Sequence, residues 1–155
     1  MHEEYLRRAI RLATANAEQG RGGPFGALVV FGGEVIAEGA NHVTANLDPT
    51  AHAEVEAIRA ACRRLGRFDL RGAALYSSCE PCPMCLGAIY WARLDALYYA
   101  AGREDAARAG FDDSFLYEQF ALPEQRRALP TRRIVLDEAV RPFEAWVASE
   151  HRIPY

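Results

Sequence analysis

The 155-residue chain contains no lysine: its 18 basic side chains are all arginine, set against 21 acidic ones, for a formal net charge of −3. A nucleic-acid-binding protein ordinarily carries a basic face, because phosphate contacts dominate that affinity, and the overall charge balance suggests none. Local arginine groups at Arg63, Arg64, Arg67 and Arg71, and at Arg126, Arg127, Arg132 and Arg133, lie among polar residues and read as solvated surface. Long apolar runs are also missing; the stretch over residues 85–92 falls far short of the roughly 20 residues that cross a bilayer. The opening Met1-His2-Glu3-Glu4-Tyr5 is acidic where a secretory leader is basic. These absences lead to an expected cytoplasmic protein with neither a nucleic acid nor a membrane as partner. Cysteine is scarce, and in the cytoplasm a close pair among the four is a metal or redox site before it is a disulfide. With no internal repeat, and half of the residues hydrophobic, residues 1–155 are expected to form a single domain.

Apolar periodicity predicts the elements. Leu6, Ala9, Ile10, Ala13 and Ala17 mark a helix over residues 3–19, stopped by the glycine cluster Gly20 and Gly22-Gly23-Pro24. Strands are predicted over 25–31 and 35–41 with a turn at Gly32-Gly33, and further strands over 73–77, 96–101 and 132–136. Helices are predicted after Asp48-Pro49 up to Gly66, over 81–91, over 112–120 and over 142–150. A hairpin followed by alternating helices and strands implies an α/β fold, a three-layer α/β/α sandwich around a five-stranded mixed sheet. The right-handed crossover rule makes the third and fourth strands parallel. Ligands in such sheets gather at strand ends and helix starts, and both chemically suspicious segments lie there.

The first is Glu80-Pro81-Cys82-Pro83-Met84-Cys85. Two cysteines three apart at a helix start aim both sulfurs at one ion, and the helix terminus favours their thiolates. A thioredoxin-like redox pair shares the spacing but gives no role to the second segment, Thr50-Ala51-His52-Ala53-Glu54. Together they match the H-x-E…P-C-x-x-C signature of zinc deaminases. His52, Cys82 and Cys85 then supply three ligands to one Zn2+ per chain and leave an open fourth position, the arrangement of a catalytic zinc. Glu54 becomes the proton carrier for a zinc-activated water attacking a ring carbon that bears an exocyclic amine. Cys79 leaves a closed, four-ligand structural site as a competing reading, one that would make the protein a non-catalytic zinc module and leave Glu54 idle. An iron–sulfur run would need a further cysteine at position 89, which is Ile89. Cys62, on the inner face of its helix, reads as core.

On these residues the chain resembles the cytidine-deaminase superfamily and, within it, the bacterial guanine deaminases. The likeness runs through residues 22–27, 48–55, 78–93, 109–115 and the terminal Tyr155. The earlier blocks are shared with tRNA adenosine deaminases; Phe111-Asp112-Asp113 and the C-terminal extension point to guanine. The resemblance implies hydrolysis of guanine to xanthine and ammonia, with the purine base as small-molecule partner. It implies that Asn41 reads the base edge, that the Ala53 amide contacts the base carbonyl, and that Phe25 and Trp91 wall the pocket. Asp113 would meet the exocyclic amine as a second catalytic carboxylate. It further implies a homodimer in which the C-terminal segment, about 139–155, is exchanged so that Tyr155 closes a neighbouring pocket. A tRNA adenosine deaminase, and deaminases of ammeline, aminopterins or guanosine, remain as alternatives.

Overall fold

The computed structural model describes residues 1–155, which divide into two compact units, Met1–Asp113 and Ser114–Tyr155. The first unit runs α1 (His2–Glu18), β1 (Gly26–Phe31), β2 (Glu34–Ala40), α2 (Val43–Asn46), α3 (Ala53–Leu65), β3 (Ala73–Cys79), α4 (Pro83–Trp91), β4 (Ala96–Ala101) and α5 (Arg103–Arg108). The sheet order is β2-β1-β3-β4, with β1 antiparallel to both neighbours and β3 parallel to β4, as the crossover through α4 requires.

Alternation along the strands fills both faces. Leu28 and Val30 of β1 and Tyr76 of β3 pack with Ala9 of α1 on one side. On the other, Ala27, Val29, Ala73 and Leu75 meet Ala53, Ala57 and Ala61 of α3, with Ile89 of α4 beside them. Cys62 packs partly buried against this second core, where burial pushes its thiol up. The small residues let α3 sit close to the sheet. A Cβ on Gly39 of β2 would stand 2.1 Å from the Ala53 carbonyl oxygen, so only glycine admits the start of α3 at this distance. That close approach fixes the height of His52, Ala53 and Glu54 over the strand ends.

The α/β class holds, but the sheet has four strands, not five. Residues 132–136 form no strand, and Ile134 and Val135 stand 73% and 74% exposed. The Arg-Arg-Ile-Val-Leu run has β propensity, and propensity alone makes no strand without a backbone partner for its ladder. The second unit holds α6 (Ser114–Ala121), α7 (Arg141–Ala148) and two short 3-10 turns instead. Two short helices were not anticipated. α2 follows directly on β2, and α5 begins where the Asp105 carboxylate accepts from the Gly102 N–H at 2.9 Å. Asp48, expected to open α3, instead holds a turn by accepting from the Thr50 N–H (2.8 Å) and hydroxyl (2.7 Å); the helix starts at Ala53. The arginines near Gly66 are not simply solvated, since Arg64 donates to the Ile36 carbonyl and Arg67 lies over the Phe31 ring. No helix is long and apolar enough to cross a membrane.

Candidate metal and catalytic site

Two helix starts converge at the ends of the strands. His52 is the N-cap of α3 and Cys82 the N-cap of α4, both with extended backbone, and neither helix has a side-chain cap bond. Pro83 opens α4 at a position whose N–H would lack an acceptor anyway, and Cys85 follows one turn on, fully buried. His52 Nδ1 lies 3.5 Å from Cys82 Sγ and 3.4 Å from Cys85 Sγ, and the three ligand atoms lie within 4.8 Å of one another. Tetrahedral zinc with Zn–N of about 2.05 Å and Zn–S of about 2.3 Å separates nitrogen from sulfur by about 3.6 Å. The triad fits that ion in both donor chemistry and spacing.

The electrostatics lean the same way. The hydrogen bond from Cys85 holds Cys82 down at about 4 against the cost of burial, with His52 assisting. Donating that bond, together with burial, pushes Cys85 well up. His52 is raised chiefly by its hydrogen bond to Cys82. Cys82 is thus the more readily ionised of the two thiols, with His52 and two helix N-termini before it.

Cys79 stands outside the triad. Its thiol donates to the Gly102 carbonyl at 3.6 Å, and burial, reinforced by Glu54, pushes it up to about 11. The four-ligand closed site therefore finds no support in the arrangement of the donors.

Glu54, in the first turn of α3, is 5% exposed, and burial raises its carboxyl above the usual range. Its two oxygens have different company. Oε1 accepts from the Ser77 hydroxyl of β3 at 3.2 Å, while Oε2 lies 3.4 Å from the Cys85 sulfur and so on the ligand side.

Asn41 follows β2, buried, with its side chain oriented by the backbone. Oδ1 accepts from the Gly23 N–H (3.3 Å) and the Val43 N–H (3.2 Å), which leaves the Nδ2 group as the donor it can offer. Its main-chain carbonyl accepts from Asn16 Nδ2 at 2.9 Å, and the same amide donates to the Gly23 carbonyl at 2.8 Å. A Cβ on Gly22 would meet the Asn41 carbonyl oxygen at 2.2 Å, so this clasp needs glycine there. Ala53 is buried at the first position of α3, where its N–H has no acceptor within the helix.

The other expected site residues lie outside the ligand cluster. Phe25 stacks edge-on against Phe111 (5.0 Å) and lines an apolar cavity of about 340 Å³ with Ser78 and Cys79, whose lining includes neither Glu54 nor the three ligands. Trp91 ends α4, 65% exposed, with the Arg93 guanidinium 5.9 Å from its ring. Asp113 closes the first unit; burial raises its carboxyl while Arg103 opposes the rise, and Cys82 adds to it. Tyr155 belongs to the second unit, its ring edge-on to Trp146 at 6.5 Å.

Two residues of the site escaped the sequence reading: Ser77, which holds Glu54, and Asn16, which holds Asn41. Each had a signal. Ser77 interrupts the apolar row Ala73-x-Leu75-x-Ser77, and Asn16 continues the inner face of α1 after Ala9 and Ala13.

Comparison with known proteins agrees with this geometry. The family described as the cytidine and deoxycytidylate deaminase zinc-binding region matches residues 1–101. Guanine deaminase of Bacillus subtilis is 56% identical over 145 residues, covering 94% of this chain and 93% of that protein. The X-ray structure of the Bacillus subtilis guanine deaminase superposes with a TM-score of 0.98 at 53% identity, over 100% of this chain and 99% of that one. The tRNA-specific adenosine deaminase of Aquifex aeolicus is 42% identical over 99 residues, 64% of this chain and 65% of that protein.

Proposed function

The chain belongs to the cytidine and deoxycytidylate deaminase zinc-binding family, and from that premise we propose that it is a guanine deaminase, hydrolysing guanine to xanthine and ammonia. The observation that carries the reading is likeness over nearly the full length of both proteins to a guanine deaminase, whereas likeness to the adenosine deaminase of Aquifex aeolicus covers about two thirds.

His52, Cys82 and Cys85 hold the zinc. The chemistry that zinc supplies when bound is the activation of a water as a nucleophile near neutral pH. Glu54 would carry both protons on Oε2: one from the attacking water to a ring nitrogen of the base, then a second from the hydroxyl left on the ring carbon to the amine, which departs as ammonia as the ring carbonyl forms. Burial helps, because a carboxyl raised toward the working pH both accepts and releases a proton readily. Asn41 Nδ2 and the Ala53 N–H donate to acceptors on the base; both are held rigidly, the first by its clasp and the second by the start of α3. Asp113 accepts from the exocyclic amine, and Phe25 and Trp91 flank the ring.

The working molecule in this reading is a homodimer with residues of about 139–155 exchanged, so that Tyr155 covers the partner's pocket and excludes bulk water. The separate second unit supports this, as do Phe143, Val147, Ile153 and Tyr155, all of which it leaves largely exposed. A cytoplasmic setting suits the chemistry, since reducing conditions keep Cys82 and Cys85 available as ligands.

Ammonia release from free guanine by the purified protein, run beside inosine formation in a tRNA anticodon stem-loop, tests the substrate. Release from guanine with no inosine formed is expected. Inosine formation without release from guanine would overturn the assignment in favour of a tRNA adenosine deaminase.

A further inference from the structure

We propose that Ser77 is a positioning residue for the reaction, its hydroxyl anchoring Oε1 of Glu54 so that Oε2 alone carries the proton. The inference rests on the reading of Glu54 as the proton carrier. It starts from an oddity of β3. The residues that β3 turns toward α3 are Ala73, Leu75 and then Ser77, and the first two belong to the apolar core beneath that helix. Ser77 is 2% exposed, as closed off as they are. A buried hydroxyl in such a row is costly unless it is bonded, and an alanine or valine would fill the place without that cost. The polar partner that Ser77 finds is the Glu54 carboxylate, at 3.2 Å.

A glutamate needs such help. Its last torsion is broad and roughly two-fold, so a carboxylate held only by its stem presents either oxygen, at varying tilt, to the groups before it. Glu54 has to address the ligand side with one oxygen throughout the reaction, because it receives a proton there and delivers it to a different atom. A donor fixed in the sheet, behind the carboxylate, resolves this. Ser77 is rigid in its strand, pairing with Ala27 on β1 and Tyr99 on β4. Its hydroxyl occupies Oε1, and the other oxygen is left on the side of Cys85, 3.4 Å from its sulfur. Division of labour between the two oxygens follows from that placement: Oε1 is tethered and Oε2 works. The cost of proton transfer is then paid without a search over carboxylate rotamers.

The test compares Ser77→Ala, Ser77→Val and Ser77→Thr in the full-length zinc-loaded protein, with guanine turnover, zinc content and melting temperature all measured. Valine and threonine have nearly one shape and differ in the hydroxyl, so any strain from the added methyl is common to both. Loss of the bond to a charged acceptor is expected to lower kcat about 10- to 100-fold in the alanine and valine variants. KM should stay within about twofold, since the base is bound by other groups. Threonine should recover most of the activity, all three should keep one zinc, and valine and threonine should share any shift in melting temperature. In a Glu54→Gln background, Ser77→Ala should cost little more, because the group it positions no longer carries a proton. Parental kcat in the valine variant, equal kcat in valine and threonine, or a full additional loss in the double variant would each overturn the inference. So would loss of zinc from both alanine and valine variants, which would place Ser77 in the building of the metal site. Failure of the underlying reading looks different: Glu54→Gln would itself retain parental kcat.

Discussion

Both units of the chain are rich in apolar side chains, yet every buried residue belongs to Met1–Asp113 and none to Ser114–Tyr155. The first unit pairs each amphipathic helix with a sheet face and completes two cores. The second has helices of comparable local quality, α7 opening with proline in its first turn, and leaves Phe120, Phe143 and Val147 in solvent. Local signals suffice to start a helix; they do not supply the surface on which it is buried. A segment of this size is also too short to enclose a core of its own. The residues of the proposed chemistry divide in the same way. Glu54, the three ligands and Asn41 stand on elements braced by a core, where angstrom-level placement can be kept, whereas Tyr155 stands on the unit that has none.

That contrast can be pressed experimentally. Glu54→Gln, in the braced unit, is expected to give the largest effect, a loss of about 10²–10⁴ in kcat with zinc retained by elemental analysis. An active variant would move the proton-carrying role elsewhere. Next is Leu75→Ala, which opens a void between β3 and α3 and should cost about 2–5 kcal/mol in urea unfolding; a smaller loss would mean that the core tolerates collapse. Deleting residues 151–155 should lower kcat/KM for guanine about 10- to 100-fold while leaving zinc and the melting temperature unchanged. Mixing the deleted protein with full-length Glu54→Gln protein should restore part of the activity once subunits exchange, because one pairing unites an intact site with an intact tail. No recovery after verified exchange would assign each tail to its own site. The smallest effect belongs to Phe143→Ser, within about 0.5 kcal/mol in protein dilute enough to be monomeric. At high concentration the same change should weaken self-association in sedimentation; association that is unaffected would remove Phe143 from any subunit contact.

The contrast also explains what could be read from residue order. The first four strands and the longer helices α1, α3 and α4 were legible because short apolar stretches mark them and glycines and prolines bound them. The clustering of His52, Cys82 and Cys85 was legible because metal chemistry demands particular atoms at particular spacings. The fifth strand was misread: Arg132 to Leu136 carries the composition of a strand, and pairing, which composition does not encode, is absent. Ser77 and Asn16 were missed for a related reason. Each acts on a residue distant in the chain, Glu54 by 23 positions and Asn41 by 25, and small polar residues inside a strand or helix have many uses.

The uncapped starts of α3 and α4 set stability against activity. Serine, aspartate or asparagine at an N-cap is worth about 0.5–2 kcal/mol to a helix, and at both helices that position is occupied by a ligand that makes no such bond. The metal-free protein should therefore gain heat resistance from Cys82→Ser or His52→Asn, the very changes that dismantle the metal site. A screen for thermal tolerance carried out without zinc would enrich for inactive chains, and consensus-style stabilisation of this scaffold has to leave both helix starts alone.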